Sequence, residues 1–285
     1  SQALVGEKRA RGVEGVEVHA ADMVDSAAVR AVVVAARPTV VMHFASHAAL
    51  PDERDEAAVF THTILPLVHL VAAVRDLPDV RAVINAGSSS EYGSQTVPMR
   101  EDLSPNPTSA HGVAKYAQTL YGQYAARFFG LPLVTLRFFG VYGPFEQPRR
   151  LIPRLMRAAL VGTPINLSNP ETKRDFIAVP DVIAAIEACL QDPTRHAGAV
   201  YNVGTGAQHS LAEVVAIVER ICGKALPLRW GAKPPNKWDT PLWVADTTLA
   251  AERLGWRSKI AFETGLEATY HWFVEHLRDY PAYLE

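Results

Sequence analysis

The sequence predicts an α/β protein: a Rossmann-type, doubly wound parallel sheet with a smaller C-terminal α/β substrate lobe. Three runs rich in Val, Ile and Leu, over residues 39–45, 81–86 and 133–138, lack alternation and are typical of strands covered on both faces. Segments of helical periodicity separate them, near residues 27–36, 57–74 and 109–128. Strands that alternate with helices predict parallel pairing with helical crossovers.

The composition of the chain changes after Pro144, where the regular alternation ends and Pro, Arg and Gln become frequent. We therefore expect residues 1–146, with about 175–208, to form an incomplete Rossmann cofactor-binding domain. Residues 147–174 and 209–285 are expected to form a substrate-binding lobe. In that lobe, Ser210 and Glu213 predict a capping box for a helix over residues 211–222, which Gly223 ends.

The first βαβ half-unit of a Rossmann sheet, with its glycine-rich loop, is not seen in this chain. That unit binds the cofactor pyrophosphate at a helix N-terminus, and nothing before Asp22 has its pattern. Gly204-Thr205-Gly206 follows a short predicted strand over residues 200–203. We interpret it as a strand-to-loop turn, with phosphate binding as the less favoured alternative, because a lone G-x-G is weak evidence.

Composition and charge argue against several classes of protein. The formal net charge of -2 gives no reason to expect nucleic acid or an acidic membrane surface as a partner. No uninterrupted apolar run has membrane-spanning length and no signal-peptide pattern opens the chain, which favours a cytoplasmic protein. Cys189 and Cys222 lie in apolar helical patterns and are predicted to be buried thiols, with no disulfide and no metal site.

Small hydroxyl residues follow the second predicted strand, in residues 87–93 (GSSSEYG). The carboxyl ends of parallel strands line the ligand crevice of such sheets. A hydroxyl at this position, such as that of Ser88, can donate a hydrogen bond to a substrate oxygen. A serine-rich turn without function is the simpler interpretation of this segment taken alone.

His111 and Lys115 stand at the start of the next predicted helix and, four residues apart, share one face of it. An ammonium group beside an imidazole disfavours the protonated imidazole and leaves a neutral base. A solvated surface pair is the alternative, but the position of the helix after the serine-rich turn favours convergence on one crevice. Residues 136–144 (LRFFGVYGP) form an apolar strand and turn that either covers a cofactor ring or is simply a core strand and hinge.

These segments, taken in order, resemble the extended short-chain dehydrogenase/reductases, the epimerase/dehydratase family of nucleotide-sugar enzymes. The family shows a Ser-Ser-x-x-Tyr-Gly-type turn, a Tyr-x-x-x-Lys helix and an Arg-x-x-Asn-Val-Tyr-Gly-Pro strand and turn. Arg-Asp-Phe, Asn-x-Gly-x-Gly and Leu-Gly-Trp motifs follow, and the match runs from about Val16 to Thr269. The corresponding residues here are Ser88 to Gly93, Glu101 and Pro105, His111 with Lys115, Arg137 to Pro144, Arg174 to Phe176 with Asp181, Asn202 to Gly206, and Leu254 to Trp256.

The resemblance implies NAD or NADP as the cofactor and a nucleotide sugar as the substrate. Ser88 would bind the sugar oxygen that undergoes redox, His111 would act as the acid/base, and Lys115 would hold the nicotinamide ribose. The expected cofactor-binding residues are Asp22 at the adenine ring, Ala45 and Ser46 along the cofactor, Thr63, Ala86, Lys115 and Phe138. The expected substrate-binding residues are Ser89, Ser90, Gly140, Arg174 at the diphosphate and Lys237.

Departures from the family pattern narrow the expected reaction. His111 replaces the catalytic tyrosine; an imidazole can transfer the same proton and has an ordinary pKa nearer to neutrality, although it is shorter. Ser89 and Ser90 replace the Asp-Glu pair with which family dehydratases remove water. Dehydration of that kind is therefore not expected.

Other departures concern ligand recognition. Thr63 and Gly140 replace two asparagines that usually contact cofactor and substrate, and Gly140 would leave extra room beside the substrate. Lys237 is the cation nearest to the place of a usual arginine. Nucleotide recognition is therefore expected to differ from that of a standard epimerase.

The leading hypothesis is an NAD(P)-dependent enzyme that epimerises or reduces an NDP-hexose or NDP-6-deoxyhexose at C4. Tightly held NAD would favour epimerisation and exchanging NADPH would favour reduction, a choice that the sequence leaves open. The alternative is a catalytically inactive family member that binds a nucleotide sugar or a partner protein. Family members often pair through two long helices, so a homodimer is expected through the helices over residues 57–74 and 109–128.

Overall fold

The computed structural model describes residues 15–47, 54–232, 240 and 242–284. Within these residues the strands are β1 Val40–His43, β2 Ala82–Ser88, β3 Leu133–Phe138, β4 Gly140–Tyr142, β5 Ile165–Asn166, β6 Lys173–Arg174, β7 Phe176–Ala178, β8 Val200–Val203, β9 His209–Ser210 and β10 Leu228–Arg229. The α-helices are α1 Ser26–Ala36, α2 Glu56–Val74, α3 Ala110–Phe129, α4 Leu151–Val161, α5 Val179–Gln191, α6 Leu211–Cys222, α7 Thr248–Leu254 and α8 Phe262–His276. Single 3₁₀ turns lie at Ser89–Glu91, Pro193–His196 and Pro281–Tyr283.

The main sheet is parallel and has the order β1-β2-β3-β8. Helices cross between its strands, so the predicted α/β class with a parallel sheet is confirmed. Ser88, the last residue of β2, lies opposite Phe138 of β3. The carboxyl ends of these strands therefore meet at one edge, where ligands bind in sheets of this kind.

Three large apolar cores and a smaller fourth one lie within the described residues. Helices α1, α2 and α3 pack on one face of the sheet, and α5 and α7 pack on the other. A third core joins α4, α6 and α8 with β5 and β7. The division into residues 1–146 with 175–208 and 147–174 with 209–285 stays a prediction, and α7 contributes Ala250 to the core of the sheet.

Local sequence signals set the ends of the helices. The predicted capping box of α6 is present: Ser210 Oγ accepts from the Glu213 backbone N–H, and the Glu213 carboxylate accepts from that of Ser210. Gly223 follows with a φ of 69°, which a residue without a side chain adopts readily. Ser109 starts α3, because its side chain accepts from the Gly112 backbone N–H at 3.1 Å.

Helix α2 is, among the described residues, the one helix long and apolar enough to cross a membrane by length and composition. Its most apolar window is 44% buried in the protein. Core helices pass the same test, and α2 packs against α1 and α3 in one of the apolar cores. This helix is therefore weak evidence for a membrane.

Candidate active site

The serine-rich turn begins where β2 ends and is held by hydrogen bonds within itself. The Ser88 backbone N–H donates to Glu91 Oε1 at 2.8 Å, and Ser88 Oγ accepts from the Ser90 N–H at 3.1 Å. The Ser88 and Ser90 hydroxyl oxygens lie 2.7 Å apart and share a hydrogen bond. The turn thus presents a preorganised hydroxyl pair at the carboxyl edge of the sheet, on partly buried side chains.

Both carboxylate oxygens of Glu91, in the same turn, accept hydrogen bonds from other groups of the protein. Its side chain is fully buried, and Oε2 accepts from Arg137 Nε and from Thr119 Oγ1, each at 2.8 Å. The Arg137 guanidinium also donates to the Tyr92 hydroxyl at 2.9 Å. With both carboxylate oxygens bound, Glu91 is a structural partner of Arg137 and is not aimed at a ligand.

Close packing brings the first turn of α3 against the serine-rich turn. A Cβ on Gly112 would lie 2.5 Å from the Ser90 carbonyl oxygen, closer than real Cβ contacts come. Only glycine therefore allows this approach, which places His111 beside the serine-rich turn. The two segments that the sequence suggested would converge are in fact adjacent.

His111 is partly buried and poorly solvated. Burial, followed by the charges of Lys115, Arg150 and His47, lowers its pKa from 6.5 to about 4. The imidazole is therefore neutral near pH 7, as expected from the neighbouring lysine. Its Nδ1 is buried and has no hydrogen-bond partner, which leaves a polar atom that a bound ligand or water would satisfy.

Lys115 lies in the floor of the site, 5% exposed. Its Nζ donates to the Ala86 carbonyl oxygen at 2.8 Å and to Gln118 Oε1 at 3.1 Å. Burial lowers the pKa of the amine to about 8, and the negative charge of Glu91 opposes that shift. One ammonium N–H remains beyond these two bonds, because an ammonium group has three.

The Gln118 amide links Lys115 to the neighbouring strand and helix. Because its oxygen accepts from Lys115, its nitrogen is the donor to the Thr63 carbonyl oxygen and to His43 Nε2. His43 is 2% exposed, and burial, then the charge of Lys115, lowers its pKa to about 4. A neutral His43 accepting at Nε2 is consistent with that direction of the hydrogen bonds.

Three of the remaining residues predicted to bind the cofactor, Ala45, Ser46 and Phe138, lie at or just after the carboxyl ends of β1 and β3. Ala45 is exposed and Ser46 is partly buried just after β1, and Phe138 at the end of β3 stacks with Phe44 at 6.2 Å between ring centroids. Asp22 is exposed before α1, where its carboxylate accepts from the Val24 backbone N–H at 2.9 Å. Thr63 is buried, and its hydroxyl accepts from the His47 N–H at 3.3 Å.

Two residues predicted to bind substrate meet at one tryptophan. The Trp243 indole N–H donates to Ser89 Oγ at 3.1 Å, and both side chains are buried. The Arg174 guanidinium lies over the face of the same indole, 4.9 Å from the ring centroid. The structure thus joins the end of the serine-rich turn to the arginine expected at the diphosphate.

Gly140 does not provide the room that the sequence suggested. A Cβ at this position would lie 2.8 Å from the Asp175 carbonyl oxygen, and the Gly140 N–H donates to that oxygen at 2.8 Å. The space of the missing side chain is therefore filled by the strand pairing of β4 with β7. Lys237 lies outside the described residues.

The backbone of the Gly204-Thr205-Gly206 turn donates hydrogen bonds to the side chain of Asp175. The backbone N–H groups of Thr205 and Gly206 donate to the Asp175 carboxylate at 2.9 and 3.0 Å, and the Ala245 N–H adds a third donor at 3.1 Å. Burial raises the pKa of Asp175, and these hydrogen bonds oppose the rise. These contacts support the interpretation of Gly204-Thr205-Gly206 as a structural turn.

Gln118, Trp243 and Asp175 had no role in the sequence-based site, although all three touch residues that were predicted to form it. Gln118 lies three residues after Lys115, on the same helical face, and that spacing could have suggested it. Trp243 comes from a distant part of the chain, and no local pattern indicates that contact. The two cysteines are free, with Cys189 buried and Cys222 partly exposed.

The family assignment rests on both sequence and structure comparisons. The model of the NAD dependent epimerase/dehydratase family matches residues 3–204. An uncharacterized UDP-glucose epimerase, YtcB, of Bacillus subtilis (strain 168) is 30% identical over 210 residues, 72% of this chain and 64% of that protein. UDP-glucuronate 4-epimerase 4 of Arabidopsis thaliana is 27% identical over 256 residues, 84% of this chain and 58% of that protein. The chain spans about three fifths of the length of these curated relatives.

Solved structures give the same fold. MoeE5 in complex with UDP-glucuronic acid and NAD has a TM-score of 0.78 at 30% identity, covering 83% of this chain and 79% of that one. UDP-glucuronic acid 4-epimerase from Bacillus cereus has a TM-score of 0.86 at 24% identity, covering 95% and 86%, a likeness that shows the fold alone. Since the family model covers well over half of the residues, the chain belongs to the NAD dependent epimerase/dehydratase family.

Proposed function

We propose that this protein is an NAD-dependent epimerase that inverts C4 of a UDP-linked hexose or hexuronic acid. The observation that supports the proposal is the close packing of α3 on the serine-rich turn, where Gly112 meets Ser90 and Lys115 donates to the Ala86 carbonyl oxygen of β2. Ser88, His111 and Lys115 belong to these packed segments. The relatives support the substrate class, since one is named a UDP-glucose epimerase and another holds UDP-glucuronic acid with NAD. Reduction of a 4-keto sugar would use the same three residues but only the second half of the reaction, in which hydride is delivered to C4.

His111 takes the C4 hydroxyl proton in this proposal. Its lowered pKa keeps the imidazole unprotonated near pH 7, the form that a general base requires. The Ser88 hydroxyl, paired with Ser90, orients the sugar oxygen by a hydrogen bond. After oxidation, the imidazolium returns the same proton to the oxygen, so no net proton is consumed.

The residues around Lys115 fit a nicotinamide nucleotide. The third ammonium N–H is a donor for a ribose hydroxyl, and the ammonium charge disfavours a protonated imidazole at His111. When bound, NAD would accept the C4 hydride and return it to the other face of the sugar. An enzyme that instead reduces a 4-keto sugar with NADPH would give no C4 epimer in the assay below.

Loss of water is not part of the proposal. Ser89 and Ser90 carry no ionised group at the positions of the dehydratase acid pair, and Glu91 is bound on both oxygens. The site therefore lacks a free carboxylate on this turn to serve as the second acid/base.

The test is a proton NMR assay of UDP-glucuronic acid and UDP-glucose with NAD, scored for the C4 epimer. We expect His111→Ala to lower kcat by roughly 10²–10⁴-fold with a change of less than about threefold in substrate binding, and His111→Tyr to retain part of the activity. Gln123→Ala, at an exposed position on a later turn of α3, is the control. Unchanged turnover in His111→Ala would end the assignment of this residue as acid/base.

A second candidate function is nucleotide-sugar binding without catalysis. The lowered pKa of His111, to about 4, favours it because so weak a base accepts a proton poorly. Binding of UDP-glucuronic acid with no epimer and no reduced or oxidised sugar, with NAD or NADPH present, would establish this candidate and reject the epimerase.

A further inference from the structure

Trp243 occupies a position between two groups that the proposed function assigns to the substrate. The edge of its indole bonds to Ser89 of the serine-rich turn at 3.1 Å, and its face lies against the Arg174 guanidinium at 4.9 Å. Ser89 belongs to the sugar end of the proposed site and Arg174 to the diphosphate end. One side chain therefore contacts both ends.

The indole is fixed before any ligand is considered. Trp243 is 7% exposed and packs in a small core with Tyr92, Met99 and Phe139. Its backbone N–H donates to Gln208 Oε1 at 2.8 Å. The Val244 carbonyl on its other side accepts from the Met99 N–H at 2.9 Å. These contacts hold the indole ring in one orientation.

Arg174 lies against the face of this ring, 4.9 Å from its centroid. Its guanidinium is partly buried, and Nη1 donates to the Lys173 carbonyl oxygen at 2.6 Å. The aromatic face attracts the cation and limits its rotamers, and the planar fork of a guanidinium matches phosphate oxygens. An arginine ordered before binding loses less entropy when it meets a phosphate.

We propose that Trp243 is a positioning residue for a nucleoside diphosphate, holding Arg174 through the face of its ring and the sugar-side Ser89 through its N–H. The inference rests on the proposed function for the identity of the ligand, but it predicts separable effects for the two contacts. Loss of the ring weakens diphosphate binding. Loss of the N–H alone affects the sugar.

The ring contact is tested with UDP alone, by calorimetric titration of the full chain. We expect Trp243→Leu to weaken UDP binding by about tenfold and Trp243→Phe, which keeps an aromatic face, to stay within about twofold of the natural protein. In an Arg174→Ala background, Trp243→Leu is expected to have no further effect. Equal losses with and without Arg174, or no loss in either, would overturn the proposal.

The N–H contact is tested by turnover of the UDP-sugar. Trp243→Phe and Ser89→Ala each remove one partner of the same hydrogen bond, so both should lower kcat/KM several-fold and the double variant no further. Additive losses would reject the coupling. Trp256→Leu is the matched structural control, because Trp256 is a buried tryptophan of the sheet core whose N–H has no partner. It should lower the unfolding temperature while leaving UDP affinity unchanged.

The same experiments distinguish the two proposals. UDP binding that depends on Trp243 only when Arg174 is present, in a protein that turns over no UDP-sugar, would overturn the epimerase and leave Trp243 as a positioning residue. An active epimerase whose UDP affinity is unchanged by Trp243→Leu would support the epimerase and overturn the positioning role of Trp243.

Discussion

His111 and Lys115 set the expected pH dependence of the reaction at the scale of single residues. His111 must be unprotonated to act as a base, and with its pKa lowered to about 4 it gains that form as the pH rises through this value. Lys115 must keep its charge, and with its pKa lowered to about 8 it loses the charge as the pH rises further. A plot of kcat/KM against pH is therefore expected to rise near 4, stay flat, and fall near 8.

The variant His111→Tyr checks the acid side of that profile. A phenol ionises at about pH 10 in its ordinary state, above the pKa of about 8 at which Lys115 loses its charge, so the flat region should disappear and the activity maximum should move to higher pH. Absence of any movement of the acid limb would show that another group titrates there.

Glu146 is a buried carboxyl group with an oxygen, Oε2, that has no hydrogen-bond partner. Burial raises its pKa from 4.5 to about 8, and the charge of Arg150 opposes the rise. Between these values the folded protein binds a proton that the unfolded chain releases, so this residue lowers stability as the pH rises from about 4.5 to 8. We expect Glu146→Gln to raise the free energy of unfolding at pH 8 and to have little effect at pH 5.

Urea unfolding at the two pH values measures this difference. Glu263→Gln, in an exposed pair with Arg220, is the control and should change stability by no more than about 1 kcal/mol at either pH. An equal effect of Glu146→Gln at pH 5 and pH 8 would contradict the assignment.

Helix α3 carries a stripe of exposed apolar side chains at the scale of a secondary-structure element. Val113, Leu120, Tyr124 and Phe128 follow one another at helical spacing, and Phe128 is 66% exposed. Helix α2 packs beside α3 and adds partly exposed apolar residues. Contiguous apolar surface of this kind marks an interface, and we propose that it forms the homodimer contact predicted from the sequence.

A charge placed in the stripe tests that proposal. Leu120→Glu and Phe128→Glu should shift the protein from dimer to monomer in light scattering after size exclusion, since an unpaired carboxylate would be buried at the contact. Val34→Glu, at an exposed apolar position on α1, is the control. A protein that is monomeric without substitution would refute the dimer.

The elements were predictable from sequence to the extent that their signals are local. The strands around Ile84 and Val134 and the helix at Leu211 follow from apolar runs and caps, and their bounds agree within a few residues. The close approach of Gly112 to Ser90 and the bond from Trp243 to Ser89 join segments that are distant in sequence. No local pattern encodes such contacts, so the neighbours of the site residues had to come from the structure.

A buried polar network joins the sheet to the loops above it at the scale of the whole molecule. Glu91 and Arg137 form its charged centre, at 2.8 Å. The Tyr92 hydroxyl then donates to Asn202 Oδ1 at 2.7 Å, and Asn202 Nδ2 donates to the Met99 carbonyl oxygen at 2.7 Å. The network connects β2, β3, β8 and the loop through residue 99.

Removing the negative charge from that centre should destabilise the entire fold. We expect Glu91→Gln to lower the free energy of unfolding by about 3–5 kcal/mol, because it leaves Arg137 buried without its counter-charge. Chemical denaturation gives the value, and the double variant Glu91→Met/Arg137→Met should recover much of the loss. A loss below about 1 kcal/mol would show that the pair is solvated in solution.

The strand order of the sheet also has a consequence for how the chain is made. The outer neighbour of β3 is β8, which follows β3 in the chain only after α4 and α5. While the chain emerges in order, β3 keeps an open row of backbone donors and acceptors until residues 200–203 arrive, and such edges recruit strands from other chains. Shortened chains that stop between β3 and β8 are therefore expected to aggregate, and full-length chains to refold slowly, because pairings between distant segments close last.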